Sequence, residues 1–171
     1  MIDNILDELF SLRTGKRREN IDDLKLIYDS LGKPCNSVKV IHIAGTNGKG
    51  STATFLENIL LEAGYNVGKF TSPHILKYNE RILYNRQMID DEEIVNNYYF
   101  IKQVIEDFRR KNVNFKDMYL NFFEITTFIA LIFFSKKSPD FLVIETGLGG
   151  RLDATNILNS DIALITNISF D

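Results

Sequence analysis

The chain has 171 residues, 44% of them hydrophobic and 25% charged, with a formal net charge of −3 at pH 7. This length suits one domain with a sizeable core, and the acidic balance argues against a nucleic-acid partner, which would favour a basic surface. A lone cysteine excludes a disulfide framework. Acidic residues lie near the start of the chain, and no apolar run reaches membrane-spanning length. Together these features predict a cytoplasmic protein without a membrane partner.

Two amphipathic helices are predicted before the first strand. Apolar residues recur at helical spacing over Ile2–Leu9 and again over Ile21–Leu31, and Gly32 and Pro34 end the second helix. The basic stretch between the two helices, residues 15–18, is interpreted as a solvated loop, because a run of charge more often faces water than a ligand.

The most informative stretch follows, where an apolar, β-branched run breaks into a glycine-rich turn and then a helix. Residues 38–51 read VKVIHIAGTNGKGS. Glycines let successive backbone N–H groups turn toward an anion, the helix N-terminus adds partial positive charge, and Lys49 adds a full charge. The stretch predicts a loop that binds the phosphates of a nucleotide, although Ile43 and Gly50 depart from the general pattern G-x-x-x-x-G-K-[ST].

The helix after this loop is predicted from about Ser51 to Ala63. Its buried face is expected to consist of five apolar residues at helical spacing, namely Phe55, Leu56, Ile59, Leu60 and Ala63. Gly64 is expected to end the helix.

The missing hydroxyl at Gly50 bears on the metal. The residue after the lysine ligates Mg²⁺ in most loops of this kind, so the oxygen must here come from Ser51 or from another strand end. A second short strand is predicted to end at Thr71-Ser72, near the ligand crevice of a parallel sheet. Ser72 is then either a metal ligand or a turn residue before Pro73, and the residues alone leave both readings open.

Residues 73–89 show no clean period and are interpreted as a long active-site loop with one short strand at 81–84. Within it, His74, Tyr78 and Arg81 either meet substrate or form a helix cap or ion pair.

Two further helices are predicted, one over 88–111 with an acidic first turn and one over 121–135 that is almost wholly apolar. Aromatic residues of the first are assigned to the core. Glu124, near the start of the second, is either a first-turn carboxylate favoured by the helix dipole or a substrate contact.

The second strong signal is a buried strand, 141–144, that runs into Glu145 and then into glycines. An unpaired charge is costly there, and a Mg²⁺ ion beside a triphosphate would compensate it; the alternative is a capping or salt-bridged glutamate. A last buried strand is predicted over 161–167. Alternating strands and helices predict an α/β fold with a doubly wound sheet, expected to be parallel throughout.

Three motifs taken together resemble the folylpolyglutamate synthase and dihydrofolate synthase family, a branch of the Mur-ligase-like enzymes. They are GTNGKGS at 45–51, TSPH at 71–74 with YNERI at 78–82, and ETGLGGRLDATN at 145–156. The resemblance implies a P-loop domain with a mostly parallel sheet. It also implies an ATP-dependent acid–amino-acid ligase that uses ATP and Mg²⁺ to add L-glutamate to a folate or dihydropteroate carboxylate through an acyl phosphate.

The same resemblance implies roles for individual residues. Six of them are expected to contact ATP: Thr46, Asn47, Gly48, Lys49, Gly50 and Ser51. Ser72 and Glu145 are expected to bind Mg²⁺, and Lys49 and Glu145 are expected to be the catalytic residues. Contacts with the pterin-bearing substrate fall to Phe122, Phe123, Glu124, Leu152, Asp153 and Ala154. Asn121 departs from the threonine expected there.

The resemblance further implies that residues 1–171 are a truncated ATP-binding domain, incomplete at its C-terminal end and without the glutamate-binding domain. We expect little turnover from it alone, and a monomer for the full-length enzyme. Two rivals remain: a non-catalytic nucleotide-binding module, and a peptidoglycan-precursor ligase of the Mur type. Gly50 and the GGRLD run at 149–153 disfavour the second.

Overall fold

The computed structural model describes residues 2–12, 19–115 and 118–169, so the basic stretch at 15–18 lies outside the described residues. The helices are α1 (Ile2–Ser11), α2 (Asp22–Ser30), α3 (Lys49–Glu62), α4 (Asp91–Lys111) and α5 (Phe122–Lys137). The strands are β1 (Lys39–Ala44), β2 (Val67–Phe70), β3 (Ile82–Tyr84), β4 (Gln87–Met88), β5 (Phe141–Glu145) and β6 (Ile162–Ile165). These bounds agree with the predicted elements to within a few residues, except that β4 was not predicted and Met88, the expected helix start, lies in this strand. None of the helices in the described ranges has the length and apolar composition needed to cross a membrane.

The strands form one sheet in the order β4-β3-β2-β5-β1-β6, which confirms a doubly wound, mostly parallel α/β fold. Strands β2, β5, β1 and β6 are parallel, whereas β3 is antiparallel to both β2 and β4. The expectation of a sheet parallel throughout is therefore wrong at this edge. Asn85 and Arg86, with φ of 50° and 66°, form the two-residue turn between β3 and β4, and so tight a turn joins only antiparallel strands.

Apolar side chains fill both faces of the sheet. On one face a large core includes Val40 of β1 and Leu142 of β5, packed with residues of α1, α2, α4 and α5. On the other face, a smaller core includes Ile41 and Val143 beneath α3. Successive residues of one strand point to opposite faces, so these alternating residues place the sheet between two helical layers.

The predicted buried face of α3 is wrong in part. Phe55 and Ile59 are 69% and 64% exposed, and Ala63 is also exposed, whereas Ala53 and Glu57 are buried. Leu56 and Leu60 are half-buried against the smaller core. Helix α3 begins directly after residues 45–48, the predicted phosphate-binding turn that we call the phosphate loop. This starting point sets which side of the helix faces the sheet. Glu57 points inward because Lys69 of β2 forms an ion pair with it there.

The prediction of a buried last strand is also wrong. Among the described strands, β6 pairs with β1 alone and therefore lies at the edge of the sheet. Ile162 and Ile165 are 50% and 67% exposed. An apolar sequence identifies a strand, but only the strand order decides whether neighbours cover it.

Candidate nucleotide and metal site

The predicted site residues converge at one edge of the sheet. Strands β1, β2, β5 and β6 are parallel, so their C-terminal ends lie on the same side. The phosphate loop follows β1, Ser72 follows β2, and Glu145 ends β5. Ligands of open α/β sheets bind at this edge, so three segments far apart in sequence meet where a nucleotide would lie.

The phosphate loop ends in a left-handed residue that starts α3. Gly48 has φ of 82° and, as a glycine, offers no side chain to cap the helix. The N–H groups of the first turn are therefore left for an external acceptor, and the helix dipole favours an anion there. The Lys49 ammonium lies over the same loop, donating to the carbonyl oxygens of Gly45 at 2.8 Å and Thr46 at 3.1 Å.

The first part of the loop is occupied by contacts within the chain. The N–H of Thr46 donates to the Asn167 carbonyl oxygen at 2.8 Å, and the N–H of Asn47 donates to Asn167 Oδ1 at 2.9 Å. These two N–H groups are turned toward β6. The backbone N–H groups left for phosphate are thus those from Gly48 to Ser51, while contact of Thr46 and Asn47 with ATP stays a prediction.

Glu145 is a buried carboxylate beside this loop. It is 4% exposed, and its Oε2 accepts a hydrogen bond of 2.9 Å from the Ser72 N–H. Burial raises the pKa of Glu145, an effect opposed by the Ser72 hydrogen bond and by the charges of Lys49 and Arg81. A further cation beside Glu145 would therefore offset the cost of burying its negative charge.

Gly50 leaves room for such a cation. A Cβ at Gly50 would lie 3.6 Å from Oε2 and 3.9 Å from Oε1 of Glu145, so the absent side chain opens a space against the carboxylate. A carboxylate, a neighbouring serine and an approaching phosphate supply the oxygen ligands that Mg²⁺ prefers. The residues present therefore fit a divalent cation held by Glu145 and Ser72.

Asp153 supports the glycine-rich segment after β5. Its Oδ2 accepts from the N–H groups of Gly147 at 2.9 Å and Leu148 at 3.0 Å, and its Oδ1 accepts from the Thr155 N–H and hydroxyl at 3.0 and 2.5 Å. Thr155 Oγ1 also lies 2.7 Å from Nε2 of His42 on β1. Burial lowers the pKa of His42, and the neutral ring donates to the threonine, whose own proton goes to Asp153. The sequence offered no signal for this link between β1 and the loop.

Helix α5, whose first turn carries Phe122, Phe123 and Glu124, contacts both the glycine-rich segment after β5 and residues 154–157. The Phe123 ring packs so closely on Gly147 that a Cβ there would approach within 2.7 Å. Glu124 forms a reciprocal cap with Asn121, in which each backbone N–H donates to the other side chain, at 2.8 and 3.0 Å. Glu124 is thus a first-turn carboxylate of α5, and its side chain takes part in a cap that the sequence analysis did not predict. Phe122 and Ala154 are buried, and Leu152 is half-buried.

The loop after β2 packs on the start of α5. Arg81 is buried, its Nε donates to His74 Nδ1 at 2.7 Å, and its guanidinium lies 5.0 Å from the Phe122 ring centroid. Tyr78 donates its hydroxyl proton to Thr126 Oγ1 at 3.1 Å, and burial raises its pKa. These three loop residues make internal contacts next to the predicted substrate residues.

Comparisons with known proteins agree with the resemblance read from the sequence, although no family model matches the chain. It is 42% identical, over 156 residues, to the dihydrofolate synthase/folylpolyglutamate synthase of Buchnera aphidicola from Schizaphis graminum, covering 91% of this chain and 35% of that protein. The chain therefore spans about a third of the length of this relative.

Solved structures give the same result. A bifunctional folylpolyglutamate synthase/dihydrofolate synthase from Yersinia pestis, complexed with AMPPNP and Mn ion, has a TM-score of 0.87 at 36% identity, covering 99% of this chain and 39% of that one. E. coli FolC in complex with DHPP and ADP has a TM-score of 0.87 at 34% identity, covering 99% of this chain and 39% of that one.

Proposed function

Because the chain is related in sequence and fold to the folylpolyglutamate synthase and dihydrofolate synthase family, we propose that it is the ATP-binding part of an ATP-dependent ligase. The ligase would add L-glutamate to a folate or dihydropteroate carboxylate. The positioning of glutamate would fall to the two thirds of the relatives' length that this chain does not span. We place the enzyme in the cytoplasm as a monomer; the buried free thiol of Cys35 suits a reducing compartment.

The observation that carries this proposal is the meeting of Lys49, Ser72 and Glu145 at one sheet edge, beside the uncapped start of α3. The N–H groups from Gly48 to Ser51 would bind the phosphates, and the Lys49 ammonium would leave its carbonyl partners to stabilise negative charge on the group being transferred. A divalent cation on Ser72 and Glu145, when bound, supplies further charge neutralisation there.

The chemistry needs no protein nucleophile. The carboxylate of the acid substrate attacks the γ-phosphorus of ATP, the bond to the β–γ bridging oxygen breaks, and ADP leaves. The glutamate amine then attacks the acyl carbon of the resulting acyl phosphate and expels phosphate, giving an amide. The protein's tasks are to hold the reactants in line and to exclude water, which would hydrolyse the acyl phosphate.

The acid substrate would lie near the start of α5. The Phe123 ring packs on Gly147, and Phe122 and Ala154 belong to the same buried core, so aromatic and apolar groups would be available there for a pterin ring. Because the oxygens of Asp153 and Glu124 are engaged within the chain, these two carboxylates would act on the substrate by holding the loop and the helix start in place.

Calorimetric titration with AMPPNP and Mg²⁺ tests the nucleotide site. We expect the chain to bind the nucleotide and Lys49→Met to weaken binding at least tenfold, because it removes a positive charge at the phosphates. Lys33→Met is the matched control, because this half-exposed lysine pairs with Asp29 on α2, away from the sheet edge. Absence of binding by the unaltered chain, or equal losses in both variants, would refute the proposal.

A substrate panel on the complete ligase tests the reaction. ADP release should require L-glutamate together with dihydropteroate or tetrahydrofolate. If only a UDP-linked muramyl acid supports turnover, the peptidoglycan-precursor alternative holds, and if no acid does, the non-catalytic binding module holds.

A further inference from the structure

The segment after β6 is bound to the phosphate loop by a set of hydrogen bonds that we call the clasp, formed by Thr166, Asn167 and Ser169. The Thr166 hydroxyl lies 2.7 Å from the carbonyl oxygen of Asn47, to which it donates. Asn167 accepts both loop N–H groups described above, one on its backbone oxygen and one on Oδ1. The Ser169 N–H donates to the Thr46 hydroxyl at 3.1 Å. Loop and clasp are about 120 residues apart in sequence.

The clasp decides which way the loop faces. Asn47 is held on both sides of its residue, its N–H by Asn167 and its carbonyl oxygen by Thr166. The Asn47 carbonyl and the Gly48 N–H belong to one trans peptide and point in opposite directions, so holding the carbonyl oxygen on Thr166 turns the Gly48 N–H away from β6, at the start of α3.

The fit between loop and clasp is close. Gly45 has φ of 131°, and a Cβ there would approach Thr166 Oγ1 within 2.2 Å and the Asn167 carbonyl oxygen within 2.8 Å. Only a glycine allows the loop to pass so near to the strand exit. The glycine at the first turn of the loop therefore serves the clasp, in addition to the phosphates.

We propose that Thr166 and Asn167 are positioning residues for the nucleotide phosphates. Neither touches the nucleotide; each fixes Asn47, so that the N–H groups of the next residues converge on one anion. This inference rests on the proposed nucleotide site. It adds that the affinity for the phosphates depends on side chains of the segment after β6, which contact the loop.

Paired variants at Thr166 test the proposal. Thr166→Val keeps the shape and removes the hydroxyl, whereas Thr166→Ser keeps the hydroxyl and removes a methyl group. We expect Thr166→Val to weaken binding of AMPPNP with Mg²⁺ about tenfold, the net effect of one hydrogen bond, and Thr166→Ser to stay within about twofold. AMP, which lacks the outer phosphates, should lose less than about twofold in either variant. A purely structural role would weaken both nucleotides alike, which would overturn the proposal.

Asn167→Ala gives a readout that needs no nucleotide. Amide hydrogen exchange should become faster at Asn47, whose acceptor is lost, while a leucine amide of the core such as Leu142 keeps its protection. We also expect about tenfold weaker binding of AMPPNP. Fast exchange with unchanged affinity overturns the positioning role, and unchanged exchange overturns the clasp itself. If the unaltered chain fails to bind AMPPNP, the proposed function fails, and the exchange rates still decide whether the clasp holds the loop.

Discussion

The buried ion pair between Glu57 of α3 and Lys69 of β2 fixes the phosphate-loop helix on the sheet. The two side chains are 2% and 8% exposed, and Lys69 also lies 3.3 Å from the Thr54 hydroxyl, which itself donates to the Gly50 carbonyl oxygen at 2.9 Å. Glu57→Leu would leave the Lys69 ammonium buried with a hydroxyl as its remaining partner. Breaking a buried pair in this way costs about 3–5 kcal/mol of unfolding free energy, because the remaining charge is dehydrated and uncompensated.

A double variant separates the cost of leaving Lys69 unpaired from the cost of altered packing. Glu57 Oε1 is buried without a hydrogen-bond partner, so the native pair is itself incompletely satisfied. Replacing both residues, by Glu57→Leu with Lys69→Met, removes both charges, and we expect an unfolding free energy within about 1 kcal/mol of the wild type. In a domain of this length 1 kcal/mol corresponds to about 2–4 °C in Tm, so the single variant should melt roughly 10 °C lower and the double variant close to the wild type.

The assay is urea unfolding of the wild type, both single variants and the double variant, followed by circular dichroism. Glu62→Leu serves as the control, because this glutamate of the same helix is 80% exposed and reaches Arg86 only at 3.4 Å. Its loss should stay within about 0.5 kcal/mol. If Glu57→Leu costs no more than Glu62→Leu, the buried pair does not hold the helix and the reasoning is wrong.

Three further predictions follow from the site and its surroundings. Gly45→Ala should lower the unfolding free energy by about 2 kcal/mol or more in urea titrations, because the new Cβ would collide with Thr166; an unchanged midpoint would contradict this. Phe55→Ser and Ile59→Ser should each change the unfolding free energy by no more than about 0.5 kcal/mol, since both side chains are exposed. A loss of several kcal/mol would show instead that these residues lie on the buried side of α3, as expected from the sequence. The unfolding free energy of Glu145→Gln should increase relative to that of the wild type as pH rises above about 4.5. Burial raises the pKa of Glu145 above its ordinary 4.5, so the folded wild type holds a proton that the unfolded chain has already lost. The wild type therefore loses stability as pH rises through this range. Urea unfolding in the absence of nucleotide and metal, between about pH 4 and pH 8, measures this difference, and a gap that narrows with rising pH would refute it.

The sequence alone determined the main helices and strands of this protein and pointed to the residues of the proposed site. Helical spacing, turn residues and apolar runs are local signals, and they placed the helices and strands to within a few residues. The order of a strand, a glycine turn with Lys49, and a helix start predicts phosphate binding wherever it occurs, because backbone geometry and charge are both written in adjacent residues. Glu145 was singled out in the same local way, since a carboxylate that ends an apolar strand is costly to bury without a partner.

Only the tertiary structure decided what depends on neighbours distant in sequence. Within the described residues β6 pairs with β1, and its isoleucines are exposed in this chain, which spans about a third of its relative's length, although their sequence is that of a buried strand. Lys69 of β2 pairs with Glu57 on the buried side of α3, while Phe55 on the same helix is exposed. The hydrogen bonds of Asn167 engage the N–H groups of Thr46 and Asn47, a contact for which the sequence offered no signal. In each case the deciding contact joins different elements, and folding, rather than local propensity, brings its partners together.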